Sequence, residues 1–143
     1  MLEDYGFLRN PRLQALHPKP LSRQAPPLIV MLHGCTQSPD DFAAGTRMNL
    51  IAEEHTCFVV YPARLSDANP AKCWNWFRPI DQRRGQGEPS LLAGITRRVK
   101  REYSVDPQRV YIGGYLQEKS ARPIGWQAPP DVYRSGLSYV STN

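Results

Sequence analysis

At 143 residues with 41% hydrophobic side chains, the chain is long enough for one domain around one packed core. Its net charge of +5 points to nucleic acid only if the excess gathers into a patch, and no apolar run approaches the roughly 20 residues of a membrane-spanning helix. Three cysteines, Cys35, Cys57 and Cys73, exclude a complete disulfide framework and leave room for one pair.

Residues 1–27 read as an irregular N-terminal segment: five of the 14 prolines precede residue 28, and "HPKPLSRQAPP" has the composition of an exposed connector. The opening "MLEDYGFLRNPRL" has neither a basic n-region nor an apolar h-region, so the sequence as written leads us to expect a cytoplasmic chain. "LIVML" at 28–32 is an unbroken apolar run between Pro27 and His33-Gly34. Such a run suits a strand covered on both faces, as in a parallel sheet. "SPDDFAAGTRMNLIAEE" then predicts one helix, with Ser38 as N-cap, Pro39 at the first position, and Asp40 and Asp41 at the positive end of the dipole. Ala44, Met48 and Ile51, spaced by four and three, are expected on its apolar face. "CFVVY" at 57–61 is a second β-branched run, ended by Pro62.

A loop from 62 to about 88 contains "CWNWF" and exceeds the ~12–15 residues usual for unstructured connections, which marks it as functional or as a cover for the core. "EPSLLAGITRRVKREY" predicts a second helix, with Leu91, Leu92, Ile95 and Val99 as its apolar stripe. The cluster Arg97, Arg98, Lys100 and Arg101 lies at its C-terminal end, where cations complement the dipole, so we read it first as a solvated face, with binding of an acidic partner as the other reading and nucleic acid the weakest. "DPQ" makes a turn, "RVYI" a third strand, and Gly113-Gly114 a sharp turn after it. The order strand, helix, strand, helix, strand predicts an α/β fold, with three parallel strands joined by right-handed crossover helices over residues 28–114. Beyond 114 the periodicity dissolves, and 115–143 reads as a divergent tail expected to be disordered.

"LHGCTQ" carries the first chemical suggestion. A strand that ends in His-Gly and a small residue can present a backbone N–H to a developing oxyanion: Gly34 lets the backbone approach, and the Cys35 N–H is the donor. One such donor is worth about 3–4 kcal/mol in a transition state. A tight turn with no catalytic role is the other reading of the same residues, and both stay open on this motif alone.

The wider pattern is more specific. "PLIVMLHGCTQSPDDFAAGTRMNLIAEEHTCFVVYPA", "CWNWF" and "DQRRGQGEPSLLAGITRRVKREYSVDPQRVYIGG" together resemble the polyhydroxybutyrate (PHB) depolymerase family of esterases. The resemblance covers residues 26–114 through the ordered motifs LHGCTQ, GTRMN, CWNWF, G-x-GEP and DP-x-RVY. It implies a partial α/β-hydrolase fold and serine-dependent hydrolysis of PHB-type, feruloyl or related esters, in a family whose members are often secreted. It also implies no cofactor and no metal. The expected partner is an ester substrate, with no nucleic acid and no membrane.

In that family a serine in a G-x-S-x-G corner after "RVYIGG" attacks the ester, a later histidine takes its proton, and a later acid orients the histidine. Carried over by position, the nucleophile falls on Leu116, the second oxyanion donor on Gln117, and the closing glycine on Glu118. Leucine has no lone pair with which to attack. His17, His33 and His55 all precede the corner and match no triad position: His33 is expected to be structural, His17 and His55 to lie at the surface. Ser120, Ser135 and Ser138 lack a G-x-S-x-G frame, and nothing near Cys35 in sequence suggests a base for it. The site residues implied are therefore Gly34 and Cys35 for the oxyanion hole and Trp74, Trp76 and Phe77 for the substrate cleft. Packing of the long loop on the core is the other reading of the three aromatics.

Cys35 and Cys73 fall in two of the family's motifs, so a disulfide between them and a reduced buried pair both remain open. Cys57 reads as a small core residue. "PPDVYRSGL" faintly echoes a segment that family members carry further along, which points to a deletion, while a frameshift near Gly114 accounts equally well for a Pro- and Arg-rich tail. The expected chain is an inactive fragment, with a non-catalytic ester- or aryl-binding module as the alternative. Loss of the strands that flank the third strand in the intact fold would leave an apolar edge open to self-association.

Overall fold

A computed structural model describes residues 25–63, 70–71, 74, 85–114 and 131–134. Six elements follow in chain order: strand β1 (Leu28–Leu32), helix α1 (Pro39–Thr46), helix α2 (Met48–His55), strand β2 (Phe58–Val60), helix α3 (Gly87–Glu102) and strand β3 (Val110–Gly114). The strands form one parallel sheet in the order β2-β1-β3, as the strand-helix alternation predicts. The chain steps from β1 to β2 in one direction and from β2 back across β1 to β3 in the other. Right-handed crossovers then require the helices to lie on opposite faces.

The two buried clusters show those faces. Leu28, Val30 and Leu32 of β1, Phe58 and Val60 of β2, and Val110 and Ile112 of β3 pack with Leu92, Ala93 and Val99 of α3. On the other face Val59 and Tyr61 meet Phe42 of α1 and Ala52 of α2, with Ile29 and Met31 partly buried beside them. Alternate residues of β1 thus serve alternate layers, as the period of two in a strand demands. Among the described residues no helix is long and apolar enough to cross a membrane.

The sequence-predicted single helix after β1 is two helices. Arg47 adopts a left-handed conformation (φ 55°) that ends α1 and starts α2. The reason lies in the two buried anchors. In one continuous helix Phe42 and Ala52, ten positions apart, would point about 80° away from each other at 3.6 residues per turn. The break lets both face the sheet, and it resets the helical phase. Ala44 and Ile51, expected on the apolar face, are therefore exposed, and Met48 is half-buried. The Tyr61 hydroxyl donates to Asn49 Oδ1 at 2.9 Å and ties α2 to the residue just after β2.

α3 matches its expected stripe at Leu92, Ile95 and Val99, with Leu91 only half-buried and Ala93 and Thr96 buried in addition. Of its cations, Arg97 and Arg101 are exposed and Arg98 and Lys100 half-buried; Arg97 pairs with Asp131 at 3.0 Å and Arg98 with Glu102 at 2.8 Å. The DP-x-RVY motif folds back on the start of β1. Asp106 accepts from the Gln108 N–H (2.9 Å) and Arg109 Nε (2.6 Å), and Arg109 also reaches the Ala25 carbonyl. These bonds to Asp106, that from Arg109 first, hold its carboxyl below the usual range.

Two features depart from the sequence reading. Gly113 and Gly114 belong to β3 and pair with Met31 and Leu32, instead of forming the turn after it. Residues 131–134 fall in the segment expected to be a disordered tail, yet Val132 and Tyr133 are buried in the same cluster as β1, β3 and α3. The Arg134 N–H donates to the Val110 carbonyl at 2.7 Å.

Candidate active site

In an open parallel sheet, ligands sit beyond the carboxyl ends of the strands. Here that end is defined by the pairing of Leu32 with Gly114, the last residues of β1 and β3. The pairing brings the His33-Gly34 turn beside the end of β3. A Cβ on Gly114 would lie 2.8 Å from Leu32 Cβ and against the Leu32 carbonyl oxygen, so only glycine permits this approach. Glycine at 114 is thus a packing requirement between the two strands that frame the site.

The turn after β1 is tightly held. His33 is buried, with Nδ1 2.8 Å from the Gly34 carbonyl oxygen. A carbonyl can only accept, so Nδ1 carries the proton and donates. Gly34 is buried and its N–H is committed to Gln37 Oε1 at 2.8 Å, while the Gln37 N–H returns to the Gly34 carbonyl at 3.3 Å. The Gly34 N–H is therefore engaged within the turn itself, and Cys35, the other residue expected at the oxyanion hole, follows it in the same turn. Thr36 follows with φ 62°. A β-branched residue in that region costs about 1–3 kcal/mol and persists only when its surroundings enforce it.

Two contacts to the long loop provide that enforcement. The Thr36 N–H donates to the Ala71 carbonyl at 2.7 Å, and Trp74 Nε1–H donates to the His33 carbonyl at 3.1 Å. The Trp74 and His33 rings lie 5.6 Å apart and tilted at 45°. Trp74 is only 5% exposed and belongs to the main core cluster. Of the two readings of the aromatic loop, packing on the core describes Trp74, which positions the turn from beneath. Trp76 and Phe77 lie outside the described residues, as do Leu116, Gln117 and Glu118.

Cys35 is disulfide-bonded and Cys57 is free, so the reduced alternative for Cys35 is set aside. Its expected partner, Cys73, lies outside the described residues. Cys57 is half-buried against the α1–α2 cluster, and burial pushes its thiol pKa up, which leaves it a packing residue and a poor nucleophile. His55 is exposed, as expected, and His17 lies outside the described residues. Among the described residues no three His, Cys, Asp or Glu side chains come together to hold a metal ion.

Sequence reading missed Gln37 and Ala71 as supports of the turn. Gln37 had a local signal, since it stands three residues after the glycine in LHGCTQ and its amide can reach back. Ala71 had none, because it acts through a backbone carbonyl that any residue would supply.

The sequence that forms this turn lies within a region similar to known proteins. The family model described as esterase PHB depolymerase matches residues 14–123. Poly(3-hydroxyalkanoate) depolymerase C of Paucimonas lemoignei is 37% identical over 107 residues, 75% of this chain and 26% of that protein. Feruloyl esterase B of Neurospora crassa is 27% identical over 131 residues, 91% of this chain and 44% of that protein. A match of that extent runs through residue 114 and into the segment expected to diverge. A probable acetylxylan esterase A of Aspergillus flavus is 23% identical over 116 residues, 80% of this chain and 37% of that protein. The chain spans from about a quarter to less than half of the length of these curated relatives. With the family model covering most of the sequence and the His-Gly turn seated beside the glycine end of β3, the chain belongs to the PHB depolymerase family of esterases.

Proposed function

We propose that this chain carries the oxyanion-hole side of a serine esterase and does not itself hydrolyse esters. The observation that supports this reading is the pair of residues 114 and 116. Gly114 is seated against Leu32, as the approach to a nucleophile corner requires, and two positions on the chain has Leu116. A hydrocarbon side chain cannot attack a carbonyl carbon or be activated by a base. The Cys35 donor alone stabilises an oxyanion that has nothing to form it, and no serine among the 143 residues stands in a G-x-S-x-G frame. The ester is the chemistry that the relatives' names share, whether hydroxyalkanoate, feruloyl or acetyl, and it is the group that the turn after β1 would receive.

The test is hydrolysis of a p-nitrophenyl ester by the pure chain, with a fluorophosphonate as a serine-directed inhibitor and mass spectrometry of the protein afterwards. The expected result is a rate equal to the buffer blank and an unmodified protein mass. Turnover that the fluorophosphonate abolishes, or a covalent adduct on any hydroxyl, overturns the proposal.

A further inference from the structure

Gly34 joins two peptide groups, and both are held by the groups around them. The carbonyl of the His33–Gly34 peptide accepts from Trp74 Nε1–H at 3.1 Å, and its N–H donates to Gln37 Oε1 at 2.8 Å. The carbonyl of the Gly34–Cys35 peptide accepts from the His33 ring Nδ1–H at 2.8 Å and from the Gln37 backbone N–H at 3.3 Å. That last bond spans three residues and closes a β-turn over 34–37. Within it only Thr36 has a positive φ, the pattern of a type II turn. A trans peptide points its carbonyl and its N–H in opposite directions. With the Gly34 carbonyl drawn to the buried His33 ring, the Cys35 N–H is directed out of the turn.

Glycine is where that direction is easily lost. Without a Cβ, residue 34 lets the peptides on either side of it rotate at small steric cost, and each rotation would move the Cys35 N–H. Gln37 opposes both, its side-chain oxygen holding the first peptide and its backbone N–H the second. The next residue is the cap of α1, and the Ser38 N–H and hydroxyl are both fixed on Asp41 Oδ2. The start of α1 thus anchors the residue that reaches back to Gly34. Gln37 is half-buried, whereas His33 and Trp74 are 1% and 5% exposed, so its replacement tests the turn and spares the core.

We propose that Gln37 is the positioning residue of this turn: it clamps the peptides on both sides of Gly34 and so fixes the direction in which the Cys35 N–H is presented. Gln37 acts through Cys35 and not on an ester. The role rests on the reading of this turn as the oxyanion-hole side of an esterase, but the direction of an N–H is measurable without hydrolysis.

The test is NMR of the isotope-labelled full-length chain. In the parent, a coupling across the hydrogen bond should link the Gly34 nitrogen to the Gln37 side-chain carbonyl carbon. Residual dipolar couplings of the weakly aligned chain report N–H directions, with the amides of β1 as the fixed frame. Gln37→Leu is expected to leave the β1 couplings at their parent values and to change the Cys35 coupling beyond error. It should also speed amide exchange at Gly34 about tenfold or more, the effect of one lost hydrogen bond. Gln37→Glu, which keeps an acceptor oxygen at neutral pH, should retain the parent's Cys35 coupling. A side chain that merely filled space would not separate the two variants in this way. The proposal is overturned if the Cys35 coupling of Gln37→Leu equals the parent's, or if Gln37→Glu shifts it as far as Gln37→Leu does. Should Gln37→Leu fail to fold, the parent and Gln37→Glu decide: the cross-bond coupling with a parent-like Gln37→Glu upholds the clamp, and the lack of either overturns it. Turnover of a p-nitrophenyl ester by the parent would instead overturn the reading of the chain as inactive and leave the clamp standing.

Discussion

Gly114 shows how one residue sets the spacing of the site. Its neighbour Gly113 has open space where a Cβ would go, whereas a Cβ at 114 would press on Leu32. Gly114→Ala should therefore destabilise the chain by about 1–3 kcal/mol, as overpacking does in a filled core. Gly113→Ala should leave the urea midpoint within a few tenths of a kcal/mol of the parent. Equal midpoints for the two variants would show that β3 can slide away from β1 at low cost. The sequence marks both glycines but cannot rank them, because their difference is a distance to residue 32. Gly34 is a similar case. Its place after His33 was legible as a turn, but the commitment of its N–H to Gln37 came only with the folded geometry.

Among the elements, α1 owes its start to a reciprocal cap. The Asp41 N–H donates to Ser38 Oγ at 3.1 Å, and the Ser38 N–H and hydroxyl return to Asp41 Oδ2 at 3.2 and 2.7 Å. Ser38→Ala should cost about 1 kcal/mol, read as a lower urea midpoint. An unchanged midpoint would mean that packing of Phe42 alone holds the first turn. This cap was legible because every group in it lies within four residues. The break at Arg47 was not, because it answers to Phe42, Ala52 and the sheet beneath them. β1, β2, α3 and β3 stand within one or two residues of their expected limits, since each is a single apolar run or stripe with polar punctuation at both ends.

At the scale of the whole molecule, the core is closed by aromatic hydroxyls that must stay neutral. Burial pushes the Tyr133 hydroxyl up to about 12, and burial likewise raises Tyr61 to about 12. Both lie above the ~10 of an exposed tyrosine, so the unfolded chain loses these protons first. The stability they contribute is fully present below pH ~10 and is lost as pH rises toward about 12. Alkaline denaturation should therefore set in above pH ~10 and be shallower in Tyr133→Phe, which should also lose about 1 kcal/mol at neutral pH with its bond to Thr96. A parent-like alkaline slope in that variant would place the effect elsewhere. What the sequence by itself determined was whatever depends on near neighbours or on covalent chemistry. The strand-helix alternation, the helix cap, the His-Gly turn at the end of β1, and the absence of an attacking oxygen at Leu116 are of that kind. What only the tertiary structure decided rests on residues far apart in the chain. Trp74 supports a turn 41 positions away, and Tyr133 reaches Thr96 across 37. Residues 131–134, with no periodicity of their own, join the core beside α3 and β3, because four residues are too few to form a pattern and their partners are assembled only by folding.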